Sequence, residues 1–340
     1  MLKLMRAPAK YIQGKDALLS TYDETKNLGK SFLFICSRSG EKACRAHLEQ
    51  SFAGKEAAIR FEIFGGHSSE GEIQRMRDIV RAHGIDCVAG VGGGSAIDTA
   101  KATAYYEGLP VLVIPTVSAT DAPCTGLSVI YKDDGSFSKY LFYPKNPDVV
   151  LVDSTVIANA PVKFLVAGMG DALGTYFEAR MCARAKAPSL ENGARAKAAV
   201  ERHLLTPDVE AIIEANIYLS GVGADNGGLC VAHSVYNGFT ALEECTAAHG
   251  SVVAFGTIVQ LLLENAPGAE LRQVQDFCLN VGLPVTLAEM GVTDPARVAV
   301  AATKACAPGE SIHNMIGDVT PEELTDAVLA ADGLGRALRA

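Results

Sequence analysis

The chain has 340 residues, 49% hydrophobic and 20% charged, which is the balance of an ordinary globular protein and not of a disordered or fibrous one. A formal net charge of -9 speaks against a surface that tracks nucleic-acid phosphates, and no apolar run is long enough to span a membrane. One hydrophobic core rarely serves a chain of this length, so two domains are expected.

The opening residues, MLKLMRAPAKYIQG, carry charges through their apolar positions and are read as no signal peptide. Nine scattered cysteines form no C-x-x-C pair, and several lie in apolar runs, as expected of reduced, buried thiols in a cytoplasmic protein. Residues 31–36 (SFLFIC) predict a first buried strand, followed by a helix over 42–51 and a second strand over 58–64. Ser69 stands three residues before Glu72, a capping-box spacing that starts a helix running to His83.

The stretch from Cys87 to Asp121 organises the rest. A short apolar run ends in Gly92-Gly93-Gly94. Ser95 follows as a candidate N-cap, then a helical pattern from Ala96, then a second buried strand over 111–114 ending at Pro115-Thr116. Strand, glycine turn, helix and strand make the unit of a parallel sheet. Glycines let backbone amides approach an anion, and the helix points its positive end at the same place, so a diphosphate suits the turn. The spacing is not G-x-G-x-x-G, and a triple glycine also serves as a plain tight turn. Asp98 and Lys101 in the helix, with Asp121 beyond the next strand, add polar groups where open sheets bind ligands.

Alternation over 127–131 and 137–143 around Asp133-Asp134-Gly135 predicts a β-hairpin. A buried strand covers 149–152, and a helix start is expected at 157–161. Helical periodicity then fills 162–187, 194–204, 207–221, 227–243, 250–265, 268–281, 285–291, 294–306 and 320–338. An α/β domain with a Rossmann-like parallel sheet and a β-hairpin over 1–159, followed by an all-helical domain over 160–340, is therefore expected. Within the helical half, Asp171 sits among glycines and reads first as a helix cap. His233 lies on an apolar face, where a histidine is usually a core residue, and His249 precedes a helix. Together they offer one carboxylate and two imidazoles, a set that holds a divalent metal and leaves positions for an alcohol oxygen to be polarised.

The segments GVGGGSAIDTAKA, IPTVSATDAP, NPDVVLVDSTVIANAP, AGMGDALGTYFEAR, AHSVYNGFTALEE and HGSVVAFGTIVQLLLENAP resemble the glycerol dehydrogenase family of the iron-containing (type III) alcohol dehydrogenase superfamily, along nearly the whole chain. That resemblance implies an N-terminal NAD domain, a helical metal domain, an active site between them, and a cytoplasmic homo-oligomer, commonly an octamer. It places Asp171, His233 and His249 on the metal ligands, with zinc the usual ion and other divalent metals possible. Asp121 falls on the carboxylate that binds the neighbouring hydroxyl of a polyol. Ser37, Gly92, Gly93, Gly94, Ser95, Asp98, Thr116, Thr125, Leu127 and Tyr131 fall at the cofactor. The implied reaction is NAD-dependent oxidation of glycerol or another vicinal diol to a hydroxyketone such as dihydroxyacetone, with no evident general base in the motifs.

Three departures stand out. Ser37-Arg38 replaces the Asp that many members carry for the adenosine ribose, which opens the site to NADP. Ser95 stands where lysine is common. The chain is also short by a helix-sized piece between Arg180 and Thr206 and by one residue before His249. Three alternatives remain: a 2-oxo acid (hydroxycarboxylate) reductase, which Asp121 would disfavour by repelling an acid; a dehydroquinate synthase, whose basic cluster is missing from these motifs; and an inactive metal- or nucleotide-binding scaffold.

Overall fold

Both faces of the central sheet are apolar, and that dictates where the helices go. In the computed structural model, which describes residues 6–183 and 189–339, the first half contains β1 (Tyr11–Gly14), α1 (Thr21–Thr25), β2 (Ser31–Cys36), α2 (Arg38–Phe52), β3 (Ala58–Ile63), α3 (Glu70–His83), β4 (Cys87–Gly92), α4 (Gly94–Glu107), β5 (Val111–Pro115), β6 (Leu127–Tyr131), β7 (Phe137–Phe142), β8 (Val149–Asp153) and α5 (Ser154–Asn159). Six of these strands form one parallel sheet in the order β1-β8-β5-β4-β2-β3, while β6 and β7 pair as a separate antiparallel hairpin. Side chains alternate along each strand. Phe32, Phe34, Val91, Leu112 and Leu151 pack on one face beneath Leu48 and Phe52 of α2. Leu33, Ile35, Val88, Val113 and Val150 face the other way, into a core that continues through the helical half. Two-sided burial by helices is what an all-parallel sheet requires.

From Val162 onward the described residues are helical: α6 (Val162–Ala183), α7 (Ser189–Val200), α8 (Pro207–Glu214), α9 (Ser220–Gly227), α10 (Val231–Phe239), α11 (His249–Leu263), α12 (Gly268–Val281), α13 (Val298–Ala305) and α14 (Pro321–Arg339), with short 3₁₀ turns between some of them. None is long and apolar enough to cross a membrane among the described residues.

Several expected boundaries move for identifiable reasons. β1 was not anticipated, because its four half-buried residues carry no alternation. α2 begins before residue 42, because Ser37 caps it by accepting from the Gly40 amide at 3.0 Å. Ser69 caps α3 as its spacing predicts (3.3 Å from the Glu72 amide). The return arm of the box is missing, since the Glu72 carboxylate takes the Gly65 amide and Arg75 instead. Gly93, not Ser95, is the cap of α4. Asp153 starts α5, which ends at Asn159 before Pro161, where a start was expected. A π turn over Ala215–Leu219 joins α8 to α9, so this rod runs past 221 to Gly227, and the break falls at Gly228 instead. Of the helix expected over 285–291 only a 3₁₀ turn at Ala288–Met290 forms. The end of the helix expected over 162–187 lies outside the described residues.

Candidate active site

The direction of the chain changes between β2 and β4. α2 carries the chain from β2 out to β3, whereas α4 leads from β4 to β5 on the opposite side, and such a switch point leaves a crevice at the carboxyl ends of the strands. Ser37 and the glycine turn meet there. The Ser37 amide donates to the Val91 carbonyl at 3.0 Å. A Cβ on Gly92 would come within 2.9 Å of Ser37 Oγ, so the first glycine is required for the fit between strands. The next two are different: a Cβ on Gly93 or Gly94 would meet nothing nearer than 3.5 Å. Their missing side chains leave an open cradle at the N-terminus of α4, which suits a diphosphate. Thr116, at the end of β5, donates its amide to the Gly92 carbonyl at 3.0 Å and closes the same edge. The fold therefore brings Ser37, Gly92, Gly93, Gly94, Ser95 and Thr116 to one edge.

Asp98 and Lys101 turn inward. The Lys101 ammonium donates to the carbonyls of Ala122 (2.8 Å), Thr125 (3.3 Å) and Leu127 (2.5 Å) and pairs with Asp98 at 3.2 Å. Asp98 also accepts the Val129 amide at 3.1 Å. These two charges pin the loop between β5 and β6 to α4, and the side chain of Thr125 is folded into the same knot. Leu127 and Tyr131 lie half-buried on β6. The pinned loop is the one that presents Asp121.

Asp171 lies in the interior of α6 and is not a helix cap, which corrects the first reading of that residue. It reaches His249 because α6 and α11 touch backbone to backbone. A Cβ on Gly170 would stand 2.2 Å from the Gly250 carbonyl oxygen, and one on Gly250 would stand 1.9 Å from that of Ala167. His249 opens α11 with its ring edge-on to Tyr236 (centroids 4.2 Å apart), and its Nε2 lies 2.8 Å from Asp171 Oδ1. His233, in the first turn of α10, brings its Nε2 to 3.4 Å from the same oxygen. One ligand atom from each of the three residues lies within 4.8 Å of the others. Zinc ligands about 2.0–2.2 Å from their ion stand roughly 3–3.5 Å apart, and the two imidazole nitrogens lie 2.8 and 3.4 Å from the Asp171 oxygen. The Asp121 amide donates to the other Asp171 oxygen at 3.2 Å, so the loop after β5 ends at the cluster.

Glu178, which sequence reasoning missed, completes the arrangement. It is fully buried, and its Oε2 lies 2.6 Å from His233 Nδ1. A carboxylate has no proton to give, so Nδ1 donates, and a neutral His233 then aims the lone pair of Nε2 at Asp171. Lone pair against carboxylate is repulsive unless a proton or a cation lies between them. The available signal was its position seven residues after Asp171, two turns along the same face of α6.

The charges show the same deficit. Burial and the neighbouring Asp171 push the Asp121 carboxyl up to about 7. Burial would raise Asp171 as well, but His249 and His233 outweigh it and hold this carboxyl well below its usual range. Burial opposes protonation of His233, yet Glu178 and Asp171 lift it well above the ordinary imidazole value. Three carboxyl groups and two imidazoles leave the pocket short of positive charge, which a divalent cation would supply.

Comparisons with known proteins define the class. Residues 8–154 match the model of the iron-containing alcohol dehydrogenases. The chain is 46% identical to a glycerol dehydrogenase of Citrobacter freundii over 360 aligned positions, covering 99% of each chain. That alignment exceeds the chain's own length, in keeping with the shortening noted above. It is 39% identical to a glycolaldehyde reductase of Halobacterium salinarum, covering 100% of each chain. The crystal structure of the Schizosaccharomyces pombe glycerol dehydrogenase superposes with a TM-score of 0.92 at 32% identity, covering 99% of this chain and 92% of that one. The chain belongs to the iron-containing alcohol dehydrogenase family and is an oxidoreductase. Within that family its likeness is to the glycerol dehydrogenases.

Proposed function

We propose that this oxidoreductase catalyses the NAD-dependent, divalent-cation-dependent oxidation of glycerol, or a closely related vicinal diol, to the hydroxyketone. The supporting observation is His233, fixed by Glu178 so that its free nitrogen faces Asp171 and the neighbouring His249. Asp171, His233 and His249 would hold the cation, zinc or another divalent ion. When bound, it polarises a substrate hydroxyl and makes its proton easier to lose.

The chain's own residues set orientation and selectivity. Asp121 accepts a hydrogen bond from the second hydroxyl, and a simple alcohol would leave that carboxylate unpaired. The glycine turn and the N-terminus of α4 hold the diphosphate, with Ser37, Ser95 and Thr116 at its edge. NAD is the expected cofactor. With Ser37-Arg38 after β2, no carboxylate there repels a 2′-phosphate, so NADP is admitted as well. In this reading residues 1–159 carry the nucleotide and residues 160–340 carry the cation, and the enzyme is a homo-oligomer.

The resemblance to a glycolaldehyde reductase suits the same site working in reverse on a short hydroxyaldehyde. The test is formation of reduced cofactor from glycerol, before and after chelation, and again with zinc restored. Chelator-sensitive, zinc-restored turnover on diols is expected. Undiminished turnover by protein shown to be metal-free would overturn the proposal.

A further inference from the structure

We infer that Glu178 is the positioning residue of the cation site, selecting the His233 tautomer that can bind a metal while fixing the start of α10. This rests on the proposed role of Asp171, His233 and His249. Glu178 Oε1 accepts two backbone amides, Cys230 at 2.8 Å and His233 at 2.9 Å, which are orphan donors at the start of α10. Its Oε2 accepts His233 Nδ1–H at 2.6 Å. One carboxylate therefore orients the helix and the ring together. Asp171 and Glu178 are both fully buried, and they grip the imidazole from opposite sides, one at each nitrogen.

The acceptor count explains why a carboxylate is needed. Three donors converge on Glu178 and it has no donor of its own. In E178Q the amide oxygen would stay with the two backbone amides, leaving NH₂ facing Nδ1. His233 would then turn to the tautomer with Nδ1 as acceptor and Nε2 protonated, which cannot ligate. An outer-shell partner of this kind is typically worth about 10–100-fold in metal affinity.

The experiment measures zinc affinity by competition with a chromophoric chelator, alongside the melting temperature of the metal-free protein, for wild type, E178Q and E178D. Affinity is expected to fall about 10–100-fold in E178Q. E178D keeps the charge but draws the carboxylate back by one methylene, and should lie between the two. Wild-type affinity in a folded E178Q would overturn the inference, as would a loss of melting temperature with affinity unchanged, which is the mark of a purely structural cap. If E178Q does not fold, E178D decides: intermediate affinity supports the inference and wild-type affinity rejects it. A wild-type protein that binds neither zinc nor another divalent ion would instead overturn the cation reading of the site, and the inference with it.

Discussion

Two buried charge clusters flank the cleft, and in the sequence they look alike. Asp98 with Lys101, and Asp171 with its histidines, are each a carboxylate in a helix near glycines. The structure separates them by their balance of charges. The Lys101 ammonium faces three carbonyls and a carboxylate, and Asp98 takes a backbone amide besides. This knot balances its charges inside the protein, one ammonium against one carboxylate, with Asp98 Oδ1 held by the ion pair alone. Around Asp171 the carboxylates outnumber the cationic groups, and one oxygen faces two imidazole nitrogens. That cluster is complete only with something positive added. The polar groups left unbalanced, more than the identity of the residues, mark the site.

The comparison can be broken at either cluster. The largest effect is expected from H249A. Losing a ligand should weaken zinc binding by more than the roughly 100-fold typical of an orienting partner, and activity should fall with it. The metal-free protein should melt near the wild-type temperature, since His249 is 29% exposed as a side chain. Full zinc content in H249A, measured by metal analysis, would remove His249 from the ligand set. Next is K101M, which leaves Asp98 buried without its ion pair and three carbonyls without their donor. Breaking a buried pair from one side costs about 3–5 kcal/mol, so a large fall in denaturation midpoint is expected while zinc affinity is retained. If K101M kept its stability and lost cofactor binding instead, Lys101 would belong to the site and the contrast between the clusters would collapse.

How much of this was legible in the sequence follows from the range of the interactions. Strand order, β1 and the start of α5 aside, the α/β half could be read because short apolar runs, alternation and glycine turns are local. The proposed cofactor edge could be read for the same reason, since Gly93 to Ser95 directly follow β4, which ends at Gly92. Asp171 looked like a cap because neighbouring glycines suggested a helix end. Gly170 and Gly174 instead allow α6 and α11 to touch, a contact between segments some eighty residues apart. Glu178 was missed because a lone glutamate in a helix usually faces water. Only the packing of α10 against α6 shows that it does not. The π turn at Ala215–Leu219 left no periodic signal either, as one extra residue simply shifts the pattern.

Asp121 tests the boundary between the two clusters, since its loop is anchored by Lys101 and its amide by Asp171. D121A removes an acceptor that only a second hydroxyl uses. A hydrogen bond to a charged group is worth about 1.5–3 kcal/mol, so kcat/KM on glycerol should fall some ten- to hundredfold more than on a simple primary alcohol. Equal losses on both substrates would show that Asp121 serves the cluster and not the diol.

The last effect is one of protons, and it distinguishes the clusters most directly. In the metal-free protein His233 is held protonated well above the ordinary imidazole range, and Asp121 titrates at about 7. A cation needs the Nε2 lone pair of His233 and favours the ionised form of Asp121, so binding must expel protons. Asp171, held low, is already ionised and contributes none. Apparent zinc affinity should therefore rise with pH, by up to about tenfold per unit for each proton released. More protons should leave at pH 6, where Asp121 is largely protonated, than at pH 8, where it is not. Calorimetry in buffers of different ionisation enthalpy reads that number. Lys101 holds Asp121 down somewhat, so K101M should alter the count only through Asp121 and leave the contribution of His233 unchanged wherever the protein remains folded. A zinc affinity independent of pH would mean that the cation bypasses His233, and the distinction between a balanced and an unbalanced cluster would lose its physical basis.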